Sequence, residues 1–461
     1  MQAPFDIAAD LDTPVSAYLK LGAFQPRFLL ESVEGGRHLA RYSFIGFGEA
    51  MEVRLTPEAL LVDGREMPRP EGRAALLDAW RTLLARAPQP GPVVPGIPFT
   101  GGLVGVAGYD VVRFFERLPS RHAPHPGLPE AAFVAPESLL VFDHLTRRAA
   151  LLHAGGEQER QVLRREVIDA LAGGIARSAS RGTFTLPQGS MDEAAYIDAV
   201  GRAQASIAAG DIYQLVLSVR FAGRFSLDPF EAYRAMRLIN PSPYMFFCDL
   251  GDLQLVGSSP EALVRLHGRT ASLRPIAGTR PRGDSDDADL ALERDLLADP
   301  KENAEHVMLV DLARNDLGRV ARAGSVHVEP YRSIERYSHV MHIVSGVQGE
   351  LAPDADAFDL FAAAFPAGTL VGAPKVRAMQ LIDELESVSR GLYAGTVGYF
   401  GHGGDMDQAI AIRTLVFHGD EYSFQAGAGI VADSVPASEY AEVLAKSAIL
   451  RRALAMAEKG L

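Results

Sequence analysis

One cysteine stands in the 461 residues, Cys248, so no intramolecular disulfide can form and no thiolate cluster exists for a structural zinc. It lies in the apolar run Tyr244-Met-Phe-Phe-Cys-Asp-Leu, which reads as a strand with a buried thiol. A glutamine-hydrolysing triad needs a reactive Cys at a tight turn with His and Glu partners, and nothing around Cys248 offers that. Long apolar runs are missing too. The one extended uncharged stretch, Ala87 to Tyr109, is broken by Pro88, Pro90, Pro92, Pro95 and Pro98, so it cannot span a membrane and reads as a turn-rich loop leading into a strand. Nor is there a basic excess. With 45 Lys+Arg against 58 Asp+Glu the net charge is −13, and no Lys/Arg stripe is visible that would neutralise phosphates, which excludes nucleic acid as the expected partner. The first residues, Met1 to Asp12, lack the basic-then-apolar order of a secretory signal. No membrane association is expected, and the expected compartment is the cytoplasm.

What is present is an ordinary globular composition, 48% hydrophobic and 22% charged, in a chain longer than one hydrophobic core usually organises. Strand-like runs such as Arg41-Tyr-Ser-Phe-Ile-Gly and Glu137-Ser-Leu-Leu-Val-Phe-Asp alternate with turns in the first part, with helices expected near Ala74–Ala87 and Glu157–Ala176. Ser178 to Gly189 reads as a linker, giving an N-terminal lobe over 1–180 and a larger domain over 190–461. In the latter, a helix opened by Asp192 is expected over Met191–Ala209 and strands over Tyr213–Phe221, Met245–Cys248 and Leu253–Gly257. Further helices are expected at Asp289–Leu297, Lys301–Asp316, Phe358–Ala364, Lys375–Leu385 and Ser438–Lys459. Strand groups separated by helices favour an α+β fold of largely antiparallel sheets.

Glu302 and Glu305 stand three apart and share one helix face. They either complement the helix dipole or meet a cation, an arginine or a ligand. Glu439, Glu442 and Lys446 repeat the pattern on a second helix. Two such helices point to a hard-ion site of the magnesium kind, which takes a few carboxylates plus water and ligand oxygens. Just upstream, Phe424-Gln-Ala-Gly-Ala-Gly-Ile-Val places small residues at a strand end, where backbone N–H groups can hold an anion. Arg413 interrupts the apolar run Ala409-Ile-Ala-Ile-Arg-Thr-Leu-Val, either paired structurally or facing a ligand. Phe365 to Lys375 misses the phosphate-loop spacing, but it brings Thr369 and several amides to a helix start. His342, in an alternating run, is a proton-transfer candidate or a satisfied core residue.

The joint order of these segments resembles the chorismate-binding enzymes. Gly257-Ser-Ser-Pro-Glu261, Arg274 to Gly283, the Glu302/Glu305 helix, Val340-Met-His342, Phe365 to Lys375, Gly391 to Phe400, Arg413, Ala426-Gly-Ala-Gly429 and Glu439 to Lys446 carry the likeness. The resemblance implies two facing antiparallel-rich sheets with helices outside, chorismate bound between them, and Mg²⁺. It implies Glu305 and Glu442 as main metal ligands with Glu302 and Glu439 beside them. Gly278, Thr279, Tyr393, Arg413 and the amides of Gly427, Ala428 and Gly429 become substrate contacts, and His342, with Glu302, Thr369 and Lys446, part of the catalytic group.

Within the family the nucleophile decides the product. Water-using relatives place a lysine where Gln214 stands here, and enzymes that attack through a covalent lysine place it where Ala277 stands. Both lysines are missing, which leaves ammonia. The implied reaction forms anthranilate and pyruvate, with His342 assisting removal of the carbon 2 proton. The ammonia would come from a separate glutaminase subunit. Phe28-Leu-Leu-Glu-Ser-Val and Asn240-Pro-Ser-Pro-Tyr-Met resemble the family's tryptophan feedback site, with Ser32, Pro243, Tyr244 and Met245 as its contacts. Val371, where many relatives have serine, is a departure. The rival readings are aminodeoxychorismate synthesis and a non-catalytic sensor of aromatic metabolites.

Overall fold

The computed structural model describes residues 4–32, 41–125, 127–175, 182–336 and 340–461. Every strand pairing in it is antiparallel, and the strands join into one network of 21 plus a separate sheet of three. The α+β class and antiparallel order expected from the sequence are observed. Early and late segments share the large network: Phe28–Glu31 pairs with Tyr244–Asp249, and Gly102–Ala107 pairs with Thr396–Gly401. The same junction is sealed in the core. Trp80, on the helix Gly72–Arg86, is fully buried with ring centroids 5.4 Å from Phe133, 5.6 Å from Phe361 and 6.0 Å from Phe400.

Helices start where short acids cap them. Asp192 accepts from Ala195 N ahead of Glu193–Ala208, Asp299 accepts from Lys301 N and Glu302 N ahead of Pro300–Gly318, and Asp356 opens Ala357–Ala364. Several bounds differ from expectation. The helix from Glu157 stops at Ala172, because Gly173 takes an extended conformation. The helix expected from Asp289 begins at Asp286, capped by Ser285, and that expected from Ser438 begins at Pro436. The helix Pro229–Ile239, capped by Asp228, had no counterpart in the sequence reading. Of the expected linker, residues 178–181 lie outside the described residues. The remainder runs beside the strand Gln214–Arg224, which Gln188–Gly189 extends. Among the described residues no helix is long and apolar enough to cross a membrane.

Candidate active site

The central strands are Gln214–Arg224 and Glu421–Ile430, paired from Leu215↔Ile430 to Arg224↔Glu421. The N–H of Ser218 goes to Glu386 Oε1 at 2.9 Å and that of Val216 to Val371 O at 2.9 Å, so both point away from the partner strand. Directly opposed residues of an antiparallel pair point both inward or both outward. Gly427, opposite Ser218, and Gly429, opposite Val216, therefore aim their N–H groups at the strand's other edge. Thr414–His418 covers that edge only as far as Ser423, leaving it open beyond. Ala428, opposite Leu217, keeps its amide in the ladder. Glycine is needed at Gly427, where a β-carbon would lie 2.7 Å from Leu217 O and 2.9 Å from the Tyr393 hydroxyl, whereas one at Gly429 would meet only the end of the Gln214 side chain, 2.8 Å away at Nε2.

The open edge faces a cavity of about 440 Å³. Glu305 enters it from the helix Pro300–Gly318, and Glu439, Glu442 and Lys446 enter from the helix Pro436–Lys459. Arg413, Tyr393, Thr369, Gln214, Gly427 and Gly429 complete the part of the wall that the sequence had singled out. Lys446 Nζ donates to Gly427 O at 3.0 Å and pairs with Glu442 at 2.7 Å. Burial pushes the Glu305 carboxyl up, and the charges of Glu302 and Glu442 push the same way. These acids converge without forming a cage: among the described residues no three His, Cys, Asp or Glu side chains are grouped to hold a metal.

Arg413 sits in the break between the strands Met406–Ile410 and Thr414–His418, not inside one strand as its apolar neighbours suggested. Its backbone is left-handed, φ 49°, and so is that of Ala394 after Tyr393, φ 61°. Such conformations cost energy in non-glycine residues and gather at functional sites. The two bends are tied together, Ala394 N to Ala411 O at 3.1 Å and Ala411 N to Gly395 O at 2.8 Å. Opposite them, Thr369 Oγ1 donates to Glu261 Oε1 at 2.9 Å. Burial raises the Glu261 carboxyl to about 7 against the pull of Thr369 and the Arg413 charge. Val371, next to this turn, is fully buried in the main core, and its carbonyl serves Val216 N.

His342, Gly278, Thr279 and Glu302 form a second group, on and beside the three-stranded sheet, and are not part of the cavity wall. His342 lies opposite Thr279 and Glu335. Its Nδ1 is 2.9 Å from Gly278 O and 3.1 Å from Thr279 Oγ1. A carbonyl only accepts, so Nδ1 carries a proton. Gly278 has φ 71°, and a β-carbon there would lie 3.2 Å from Glu302 Oε2. Glu302 also faces Arg280 at 3.5 Å. The strand Ile276–Pro281, which carries Gly278 and Thr279, reaches the cavity through Ile276. Ala277 is buried.

A separate cavity of about 360 Å³ brings Ser32 together with Pro243, Tyr244 and Met245. The pairing of Glu31 with Met245 builds this juxtaposition. Ser32 Oγ is buried there with no hydrogen-bond partner among the described residues, while Asp407 is engaged by Arg265 at 3.0 Å and by Tyr244. Two residues of the main cavity, Glu261 and Gln425, carry no role in the sequence reading. Their signal was a polar side chain at the end of, or inside, an apolar strand.

The profile of the chorismate binding enzyme family matches residues 25–452. The chain belongs to that family. Among curated proteins it is 46% identical to anthranilate synthase component 1 of Thermus thermophilus, covering 98% of this chain and 97% of that one. It is 45% identical to anthranilate synthase component 1 of Pseudomonas aeruginosa, covering 99% and 95%. The crystal structure of anthranilate synthase component I from Streptococcus pneumoniae superposes with a TM-score of 0.80 at 34% identity, over 98% of this chain and 100% of that one. The menaquinone-specific isochorismate synthase of Escherichia coli shares the fold, with a TM-score of 0.69 at 21% identity over 95% and 90%. For a chorismate-binding enzyme the cavity's chemistry is apt: three cationic side chains, Lys301, Arg413 and Lys446, and two open amides face a region bounded by acids.

Proposed function

We propose that the chain converts chorismate and ammonia to anthranilate and pyruvate, as the synthase subunit working with a glutaminase partner in the cytoplasm. The names of its relatives at 46% and 45% identity support the reading, and the name component 1 implies a second component. The observation that carries it is Gln214 on the cavity wall. A glutamine cannot act as the base that would activate water, and buried Ala277 cannot attack the ring.

In this reading Arg413 binds a substrate carboxylate in its two-pronged fashion, and the open amides of Gly427 and Gly429 take the second negative group. Lys446 holds the edge strand by its bond to Gly427 O. Thr369 aims Glu261, whose raised pKa makes it the proton donor for the departing hydroxyl. His342 takes the carbon 2 proton as pyruvate leaves. The carboxylates fit Mg²⁺, which is commonly held by one or two carboxylates with water and ligand oxygens filling the remaining positions. Glu305 and Glu442 would hold it, with Glu302 and Glu439 near. Bound there, the ion would neutralise these acids and polarise the ring carboxylate. The second cavity, with Ser32, Pro243, Tyr244 and Met245, is the tryptophan feedback site in the same reading, and the Ser32 hydroxyl with the Asp407 carboxylate beside it suits an amino-acid ligand.

Incubation of the chain with chorismate, Mg²⁺ and ammonium tests the activity. Anthranilate fluorescence is expected. Its absence overturns the reading, and accumulation of a non-aromatic amino product would favour aminodeoxychorismate synthesis.

A further inference from the structure

Behind the cleft lies a second, small pocket of about 30 Å³, and Gln425 and Tyr393 line both spaces. Roughly 10–15 Å³ of such space holds one water, so the pocket takes no more than about two or three water-sized molecules and excludes a ring acid. No Asp or Glu lines it among the described residues, whereas Arg220 and Arg390 do. Arg220 pairs with Glu421 at 3.0 Å and the fully buried Arg390 with Glu386 at 2.6 Å. With those carboxylates already engaged, nothing there holds an ammonium ion, and a neutral guest is favoured.

The pocket's polarity is set by a buried relay. The Glu386 carboxylate takes Arg390 and only accepts, so the hydroxyl of Ser218, 2.6 Å from Glu386 Oε1, gives its one proton there. Ser218 Oγ must then accept from Gln425 Nε2 at 2.8 Å. This fixes the amide orientation and turns Gln425 Oε1 the other way. That oxygen has no partner among the described residues, yet it is not one of the sealed orphan atoms, although Gln425 itself is only 6% exposed. It opens onto the junction of the two spaces its residue lines. Arg390 braces the same wall by donating to Leu370 O at 2.7 Å and Val216 O at 2.8 Å.

We propose that this pocket is a site for neutral ammonia beside the cleft, with Gln425 Oε1 accepting an ammonia N–H. Ser218 and Glu386 act as positioning residues for Gln425. The proposal rests on the reading above in which ammonia is the nucleophile.

The test measures KM for ammonia and for chorismate separately, using the full chain with ammonium chloride as sole nitrogen source. The variants are Gln425→Met, Ser218→Ala and Ser389→Leu, the last filling the pocket from its half-buried rim. Gln425→Met and Ser389→Leu are expected to raise KM for ammonia roughly tenfold, the scale of one lost neutral hydrogen bond. Ser218→Ala should raise it less, and KM for chorismate should stay within about twofold. The wild-type KM for ammonia measured at different pH should be constant when expressed as free ammonia. An unchanged ammonia KM, or an equal rise in chorismate KM, overturns the proposal. If Gln425→Met does not fold, Ser389→Leu decides. Wild-type protein making no anthranilate would instead overturn the proposed function.

Discussion

A half-buried acid shows how far one residue's environment can shift its chemistry. Glu261 is raised to about 7 chiefly by burial, so its carboxyl is neutral in both folded and unfolded chains below the ordinary carboxyl value. Its contribution to stability is full there and is lost as pH rises through about 7, because folding then has to hold either a desolvated anion or an extra proton. Glu261→Gln should therefore gain thermal stability relative to wild type above pH 7 and not at pH 4, in melting curves taken across that range. The same substitution should lower turnover by about 10²–10⁴-fold, the usual worth of a general acid. It should also abolish the decline of kcat above pH 7. Turnover that keeps that decline in the variant would remove Glu261 from its role. Sequence made some of these residues readable and hid others. Gln214 and Ala277 are absences that a sequence states directly. The Glu261 shift comes from desolvation in the folded chain, opposed by a hydrogen bond from Thr369, 108 positions away. Arg413's left-handed bend is set by bonds from Ala411 to Gly395 and Ala394, which no local pattern reveals.

Among the elements, the three-stranded sheet of Ile276–Pro281, Ser333–Arg336 and Val340–Val344 stands apart. It shares no ladder with the 21-stranded network and packs on its own small cluster of Leu296, Met341 and Ile343. Elements with few buried contacts open at low cost. His342 rides on this sheet beside the cavity, so its proposed contact with the ring requires the sheet to settle on the ligand. Hydrogen exchange of the described amides in these strands should slow when chorismate and Mg²⁺ bind, and unchanged exchange would sink that step. Capping gives a second test. Asp356 accepts from Phe358 N and Asp359 N and pairs with Arg81, joining Ala357–Ala364 to the early helix Gly72–Arg86. Asp356→Ala should cost about 1–2 kcal/mol, the range of lost caps, read as a lower melting temperature. Such caps were legible: Asp192 opened its helix as read. The helix Pro229–Ile239 was not found although Asp228-Pro229 signals its start, because its strongly one-sided apolar face is short and ends in a turn-rich Asn240-Pro241 segment.

Across the whole molecule the two cavities are joined by that same helix. Glu31, on the wall of the second cavity, receives the Tyr233 hydroxyl and Arg237 Nε at 3.0 Å, both from Pro229–Ile239. That helix packs against Pro436–Lys459, which carries Glu439, Glu442 and Lys446 into the main cavity. A ligand that moves Glu31 therefore acts on a helix against which the helix of Glu439 and Glu442 packs. Linkage requires the effect to be mutual: if tryptophan weakens chorismate binding, chorismate weakens tryptophan binding by the same factor, typically about 5–150-fold. Tyr233→Phe removes one bond of this contact and leaves Arg237 to neutralise Glu31, so the fold is retained. The variant should keep its chorismate KM within about twofold of wild type without tryptophan. Tryptophan should still raise its melting temperature, as any ligand of the native state does, while inhibiting it less. The decisive measurement is the ratio of chorismate KM with and without saturating tryptophan. A ratio in Tyr233→Phe equal to that of wild type would show that the helix does not carry the coupling.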